Sequence, residues 1–209
     1  MSFEANITHA GPLAGRVVLI TGAAKRVGAA LAEGFHAQGA QVAIHFHHSF
    51  DAARALQQTL DERRADSAIL VQADLLDFAV LPSIVASTIA RFGRLDILIN
   101  NASTFYPTPL GSITSDHWDD LIGTNLRAPL FLSQAAAPYL RKAQGLILNM
   151  IDIHGRRPLL QHPLYSTAKA GLAMLTRSLA RELGPEVRVN GIAPGPVLWP
   201  EGGIDESLM

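Results

Sequence analysis

Short, continuously apolar runs recur along this chain, each followed by a stretch of helical periodicity. The runs fall at about 16–20, 41–46, 68–72, 95–100, 145–151 and 187–193, all strand-sized. Helical patterns fill the gaps at about 26–38, 51–64, 77–91, 115–142 and 163–183. The fourth of these should be broken near Gly123–Asn125, and the last carries Leu172, Leu175, Leu179 and Leu183 as one apolar stripe. A strand with one wet face alternates apolar and polar residues. These runs do not, so both of their faces should be covered. Strand–helix alternation with such strands demands an α/β architecture: a doubly wound parallel sheet, helices on both faces, joined by right-handed crossovers.

The 209 residues are enough for a single domain with a sizeable core, and 48% hydrophobic with 17% charged residues is an ordinary globular mix. A formal net charge of -1 gives no electrostatic reason to bind nucleic acid or an anionic membrane, so neither is expected as a partner. Cysteine is absent, which excludes disulfides, thiolate metal sites and a cysteine nucleophile and fits a reducing cytoplasm. The first residues show no basic segment followed by an apolar one. Residues 1–14 read as a loose arm.

Chemistry-bearing motifs sit at the ends of the strands. Thr21-Gly22-Ala23-Ala24-Lys25-Arg26-Val27-Gly28 follows the first run. Gly22 permits a tight strand-to-helix turn, and Gly28 permits close packing. The helix N-terminus offers free N–H groups and a positive dipole end to a pyrophosphate. Arg26 stands where a further glycine is usual. After the second run comes His45-Phe46-His47-His48-Ser49, where a site for NAD would carry an acidic residue for the ribose 2′-hydroxyl. Imidazoles, a hydroxyl and nearby Arg26 suit a 2′-phosphate instead, which points to NADPH. Strand alternation would turn His45 and His47 to one face and His48 to the other. With no carboxylate at ligand spacing, no metal site is expected. Asp74 and Leu75 close the third run, where Asp74 reads equally as an adenine partner or a helix cap. The fourth run leads into Asn100-Asn101-Ala102-Ser103-Thr104-Phe105, whose small residues would let a cofactor lie flat and whose phenylalanine offers a face to a flat heterocycle.

Tyr165 and Lys169 stand four apart, on one face of the last helix, with Asp152 thirteen residues upstream. An ammonium beside a phenol favours the phenolate, lowering a pKa that starts near ~10. An acidic neighbour suits a substrate that itself takes up a proton, such as a ring nitrogen.

Thr-Gly-x-x-x-Arg26-x-Gly28, Asn-Asn101-Ala102-Ser103, Asn125, Tyr165-x-x-x-Lys169 and Pro194-Gly195, in this order and over about residues 14–197, resemble the short-chain dehydrogenase/reductase family. Arg26, Ser103-Thr-Phe105, the histidine-rich segment, and Asp152 where most members carry serine narrow the resemblance to the pteridine reductases. The resemblance implies a single Rossmann-like NADP-binding catalytic domain over 15–197. It makes Tyr165 the general acid, and Lys169 the ligand of the nicotinamide ribose that also lowers the tyrosine pKa. Asn125 would hold a water linked to the lysine. Asp152 would be the acidic partner of the tyrosine, and Phe105 the plate on which a pterin stacks. Arg26 and Ser103 would touch cofactor phosphate and substrate. Gly22, Val27, Gly28, His45, Phe46, His47, His48, Ser49, Asp74, Leu75, Asn101, Ala102, Pro194 and Gly195 would complete the NADP site. The implied reaction is hydride transfer from NADPH to a C=N carbon of a dihydrobiopterin- or dihydrofolate-type substrate. The alternatives are a general NADPH-dependent carbonyl reductase, or a catalytically impaired NADP- or pterin-binding protein. Family members pair subunits through the helices around 125–142 and 163–183, so a homodimer or homotetramer is expected. They also run on well past Pro194-Gly195, so a C-terminally short sheet is expected, with 198–209 as a cut-down substrate loop.

Overall fold

The computed structural model describes residues 11–195. Those parts of the expected N-terminal arm and C-terminal loop that fall in 1–10 and 196–209 lie outside the described residues. Six strands, β1 (Val17–Ile20), β2 (Gln41–Phe46), β3 (Ala68–Gln72), β4 (Ile97–Asn100), β5 (Leu146–Met150) and β6 (Arg188–Ile192), alternate with helices. These are α1 (Arg26–Ala37), α2 (Phe50–Arg63), α3 (Leu81–Phe92), α4 (Ser115–Ile122), α5 (Ala128–Ala143) and α6 (Pro163–Leu183). Every strand pair is parallel, and the order is β3-β2-β1-β4-β5-β6. The winding therefore reverses between β1 and β4, which opens a crevice beyond their carboxyl ends.

Side-chain alternation divides the core into two layers. Val17 and Leu19 of β1 join Leu98 of β4 against Leu81, Ile84 and Val85 of α3 and Leu132 and Leu140 of α5. Val18, Ile20, Ile97 and Ile99 point the other way, onto Ala32 of α1 and Leu56 and Leu60 of α2. The central strands are thus buried on both faces, as their apolar runs require. The outer strands are not. β5 alternates between buried and half-buried positions, and β6 buries only Val189.

Two local expectations are corrected. The strand expected over 95–100 starts at Ile97, with Asp96 just before it. The Asp96 carboxylate accepts from Arg16, from Arg94 and from the Val17 N–H, tying the bottom of the sheet together. Nor is the long helical segment broken near Gly123–Asn125. A π-helical turn, Gly123–Arg127, joins α4 to α5 without interruption. Widening the turn releases the Leu121 carbonyl, which the Asn125 side-chain amide then takes at 2.9 Å. No helix among the described residues is long and apolar enough to cross a membrane.

Candidate active site

The crevice begins at the β1–α1 turn. Gly22 lies at φ 61°, and a Cβ there would stand 2.9 Å from the Ala102 Cα. Gly28 is tighter still, since its Cβ would meet the Gly22 carbonyl oxygen at 2.2 Å and Asn101 Nδ2 at 2.8 Å. The two glycines and Ala102 keep the turn flush with the β4 loop. Asn101 holds that loop in place by donating its amide to the carbonyls of Thr21 and Gly22, while Thr21 Oγ1 accepts the N–H groups of Asn101 and Ala102. Asn101 and Ala102 are therefore builders of the cradle. Arg26, the first residue of α1, adopts φ 53°, the left-handed region where glycine is at ease. The departure from the usual glycine is thus carried as backbone strain, which at the mouth of a crevice often accompanies function. Val27 follows half-buried, and the N–H groups of this first helical turn have no acceptor within the helix.

The histidine-rich segment divides in a way the sequence did not show. His45 is buried, and its Nδ1 accepts the Gly22 N–H at 3.3 Å while its own carbonyl accepts the Ala23 N–H. Burial, the largest influence, pulls its pKa down to about 4, so the ring is neutral and works inside the turn. The Phe46 ring lies in the core near Phe50, so any contact of this residue with a cofactor falls to its backbone. β2 ends at Phe46, so alternation stops there. His47 and His48 consequently stack on one another, 3.5 Å apart, instead of pointing to opposite faces. Both remain exposed, with Ser49 after them, and His47 Nδ1 lies 3.9 Å from Asp74. Asp74 also accepts the Leu76 N–H, and the Leu75 side chain belongs to the core. Pro194 and Gly195 follow β6 at the limit of the described residues.

Beyond β4 and β5 the remaining side chains converge. Tyr165 donates from its hydroxyl to Asp152 Oδ2 at 2.7 Å, and Asp152 Oδ1 accepts the His154 N–H at 2.9 Å. Lys169, buried one turn along α6, donates to the Met150 carbonyl at 2.9 Å, with its Nζ 5.6 Å from the centre of the Tyr165 ring. The expected lowering of the tyrosine pKa is not what this geometry produces. Burial and then the Asp152 carboxylate push the Tyr165 pKa well above its ordinary value, against a smaller opposing influence of Ser103. Burial also lowers Lys169 to about 8, only partly offset by Asp152. The carboxylate wins because it touches the hydroxyl directly, whereas the ammonium does not. Chemically, the hydroxyl is present in its protonated form and has a proton to give, while burial and the carboxylate make the phenolate left by giving it costly.

Asn125 has a part in the scaffold of the site. Its Nδ2 serves the carbonyls of Leu121 and Thr104, and its Oδ1 accepts from Ser103 at 2.6 Å. This side chain is committed to placing Ser103 and the loop that carries Phe105. The Phe105 and Tyr165 rings cross, with centroids 4.8 Å apart and planes at 78°. The sequence reading missed His162, whose ring lies 4.8 Å from Phe105 with the planes only 12° apart. Its spacing of three from Tyr165 on one helical turn was the available signal.

The sequence also matches known proteins over most of its length. A family model described as short chain dehydrogenase matches residues 16–201. Pteridine reductase 1 of Leishmania tarentolae is 39% identical, over 88% of this chain and 78% of the relative. A probable galactose dehydrogenase of Rhizobium meliloti is 36% identical over 88% of this chain and 72% of its own length. A D-xylose 1-dehydrogenase of Caulobacter vibrioides is 38% identical over 88% and 73%.

Proposed function

The chain belongs to the short-chain dehydrogenase family of oxidoreductases, and on that premise we propose that it reduces a C=N bond of a pterin-type ring with NADPH. The observation that carries this reading is the 2.7 Å bond from Tyr165 to Asp152. A dehydrogenase acting on a sugar or alcohol needs a base to take the hydroxyl proton, and a tyrosine whose pKa is raised is a poor one. A ketone reductase builds negative charge on oxygen, which an adjacent carboxylate opposes. Protonating a ring nitrogen calls for neither a base nor a developing oxyanion, and its one cost is the phenolate that Tyr165 becomes.

The family's cofactor is a nicotinamide dinucleotide, and the cradle fits one. Positions 22 and 28 admit no side chain, and α1 begins at the crevice. We assign the pyrophosphate to the first turn of α1 and the nicotinamide ribose to Lys169. The 2′-phosphate of NADPH falls to His47, His48, Ser49 and Arg26, a set with no carboxylate. When bound, the reduced nicotinamide supplies the hydride. The chain's own part is the proton: the Tyr165 Oη–H bond breaks as the ring nitrogen next to the reduced carbon takes the proton, Asp152 holds that hydroxyl in place, and the phenolate left behind regains a proton from solvent. Phe105 keeps the ring flat through face contact, and Ser103, fixed by Asn125, borders the same space. Exposed apolar residues Leu130, Phe131 and Tyr139 on α5 and Met174 on α6 support pairing of two copies through these helices.

The test is NADPH oxidation with dihydrobiopterin, dihydrofolate, a simple ketone and a sugar panel. Turnover of the pterins is expected, reduced about 10²–10⁴-fold in Tyr165→Phe. Inert pterins alongside active ketones or sugars would sink the proposal in favour of a general carbonyl reductase or sugar dehydrogenase.

A further inference from the structure

We infer that His162 is a positioning residue for the substrate ring: it fixes Phe105 as the back plate of the ring-binding slot. This rests on the reading of Phe105 as the surface on which a flat heterocycle stacks. Phe105 lies in a loop with no regular structure and is 55% exposed, so packing into a core does not hold it. Two rings do. Tyr165 crosses it at 78° and His162 lies within 12° of parallel to it, both with centroids 4.8 Å away. A crossed contact and a near-parallel contact together define the position and the plane of the ring. The imidazole covers one face of Phe105. With His162 against one face and more than half of the residue still exposed, the opposite face is the one we give to the substrate ring.

His162 is the fixed member of the pair. Its Nδ1 lies 2.7 Å from the Leu160 carbonyl, which requires the proton on that nitrogen because a carbonyl only accepts. Its N–H donates to the Leu159 carbonyl and its own carbonyl accepts the Ser166 N–H, locking it to the start of α6. Gln161, just before it, holds φ 62°, and Pro163 just after opens the helix. The Gln161 carbonyl accepts the Thr108 N–H at 2.7 Å, which ties this turn to the loop that carries Phe105. Because His162 and Tyr165 share the first turn of α6, the plate and the proton donor are set from a single rigid element.

Steady-state kinetics with dihydrobiopterin on His162→Ala, His162→Phe and Phe105→Ala, each checked for an unchanged melting temperature, separates the possibilities. His162→Ala should raise the pterin KM about three- to tenfold, the worth of one ring pair. The NADPH KM and kcat should change less than twofold, and His162→Phe should restore the pterin KM. A rise in KM for Phe105→Ala without one for His162→Ala overturns the inference and leaves the functional reading standing. A fall in KM for His162→Ala also overturns it, by making the imidazole a plug that substrate displaces. No effect of Phe105→Ala, or an inert wild type, removes the reading itself and the inference with it.

Discussion

Tyr165 and His45 are both kept neutral by burial, which a charged partner reinforces at Tyr165. At Tyr165 burial and Asp152 together disfavour the phenolate, so the hydroxyl keeps its proton through the neutral range. At His45 burial disfavours the imidazolium, and Nδ1 must stay unprotonated to accept the Gly22 N–H. The second case has a consequence for stability. An unfolded histidine takes up a proton below about 6.5. The folded one resists until about 4, because burial, with a smaller push from His47, outweighs the Ala73 carbonyl and Asp74. Between those values the unfolded state binds more protons, so stability falls as pH falls from 6.5 towards 4 and levels off below. The expected loss from this residue is ~3 kcal/mol across the window. Urea unfolding at a series of pH values should show it, and His45→Asn, which keeps an acceptor but cannot titrate, should flatten that part of the profile. Parallel profiles for the two proteins would refute the assignment.

At the level of elements, the β1–α1 junction tolerates nothing larger than hydrogen at position 28. A methyl there meets the Gly22 carbonyl oxygen at 2.2 Å and the Ala23 Cα at 2.8 Å, and backbone cannot swing aside as a long side chain can. Gly28→Ala should therefore lift α1 from the turn, costing about 1–3 kcal/mol and most of the NADPH affinity. Gly34→Ala on the same helix meets nothing within 4 Å and should stabilise by about 0.5–1 kcal/mol. Thermal melts and NADPH titration of both variants check the contrast, and equal behaviour would contradict the packing argument. Gly28 was legible in the sequence because a glycine after a strand and a tight turn has few other uses. The strand–helix alternation was legible for a similar reason: buried strands leave continuous apolar runs. What escaped depended on contacts between elements. The π turn at Gly123–Arg127 has no apolar signature, only the capture of the Leu121 carbonyl by Asn125. Whether Phe46 turned outwards or into the core hung on where β2 ended. The parallel seating of His162 on Phe105 joins residues 57 positions apart, which no local pattern records.

Across the whole molecule, the reversal of strand order between β1 and β4 gathers the site from both halves of the chain. The turn after β1 and the loop after β2 supply the cradle, while the loops after β4 and β5 and the start of α6 supply the chemistry. A ligand seated across that crevice contacts both halves at once and exists only when both are folded. It must therefore shift the folding equilibrium of the domain as a unit. NADPH at a hundred times its Kd should add about 2.7 kcal/mol, or ~5–10 °C in Tm for a domain of this size. NADH lacks the 2′-phosphate that His47, His48, Ser49 and Arg26 are assigned to hold, and no carboxylate in that stretch offers its ribose hydroxyl a partner. At the same concentration its shift should be several degrees smaller. His48→Asp, which places a carboxylate against the phosphate, should narrow or reverse the difference. Scanning calorimetry with each cofactor on both proteins decides it. Equal shifts for NADH and NADPH in the wild type would remove the 2′-phosphate from this segment, whatever the substrate proves to be.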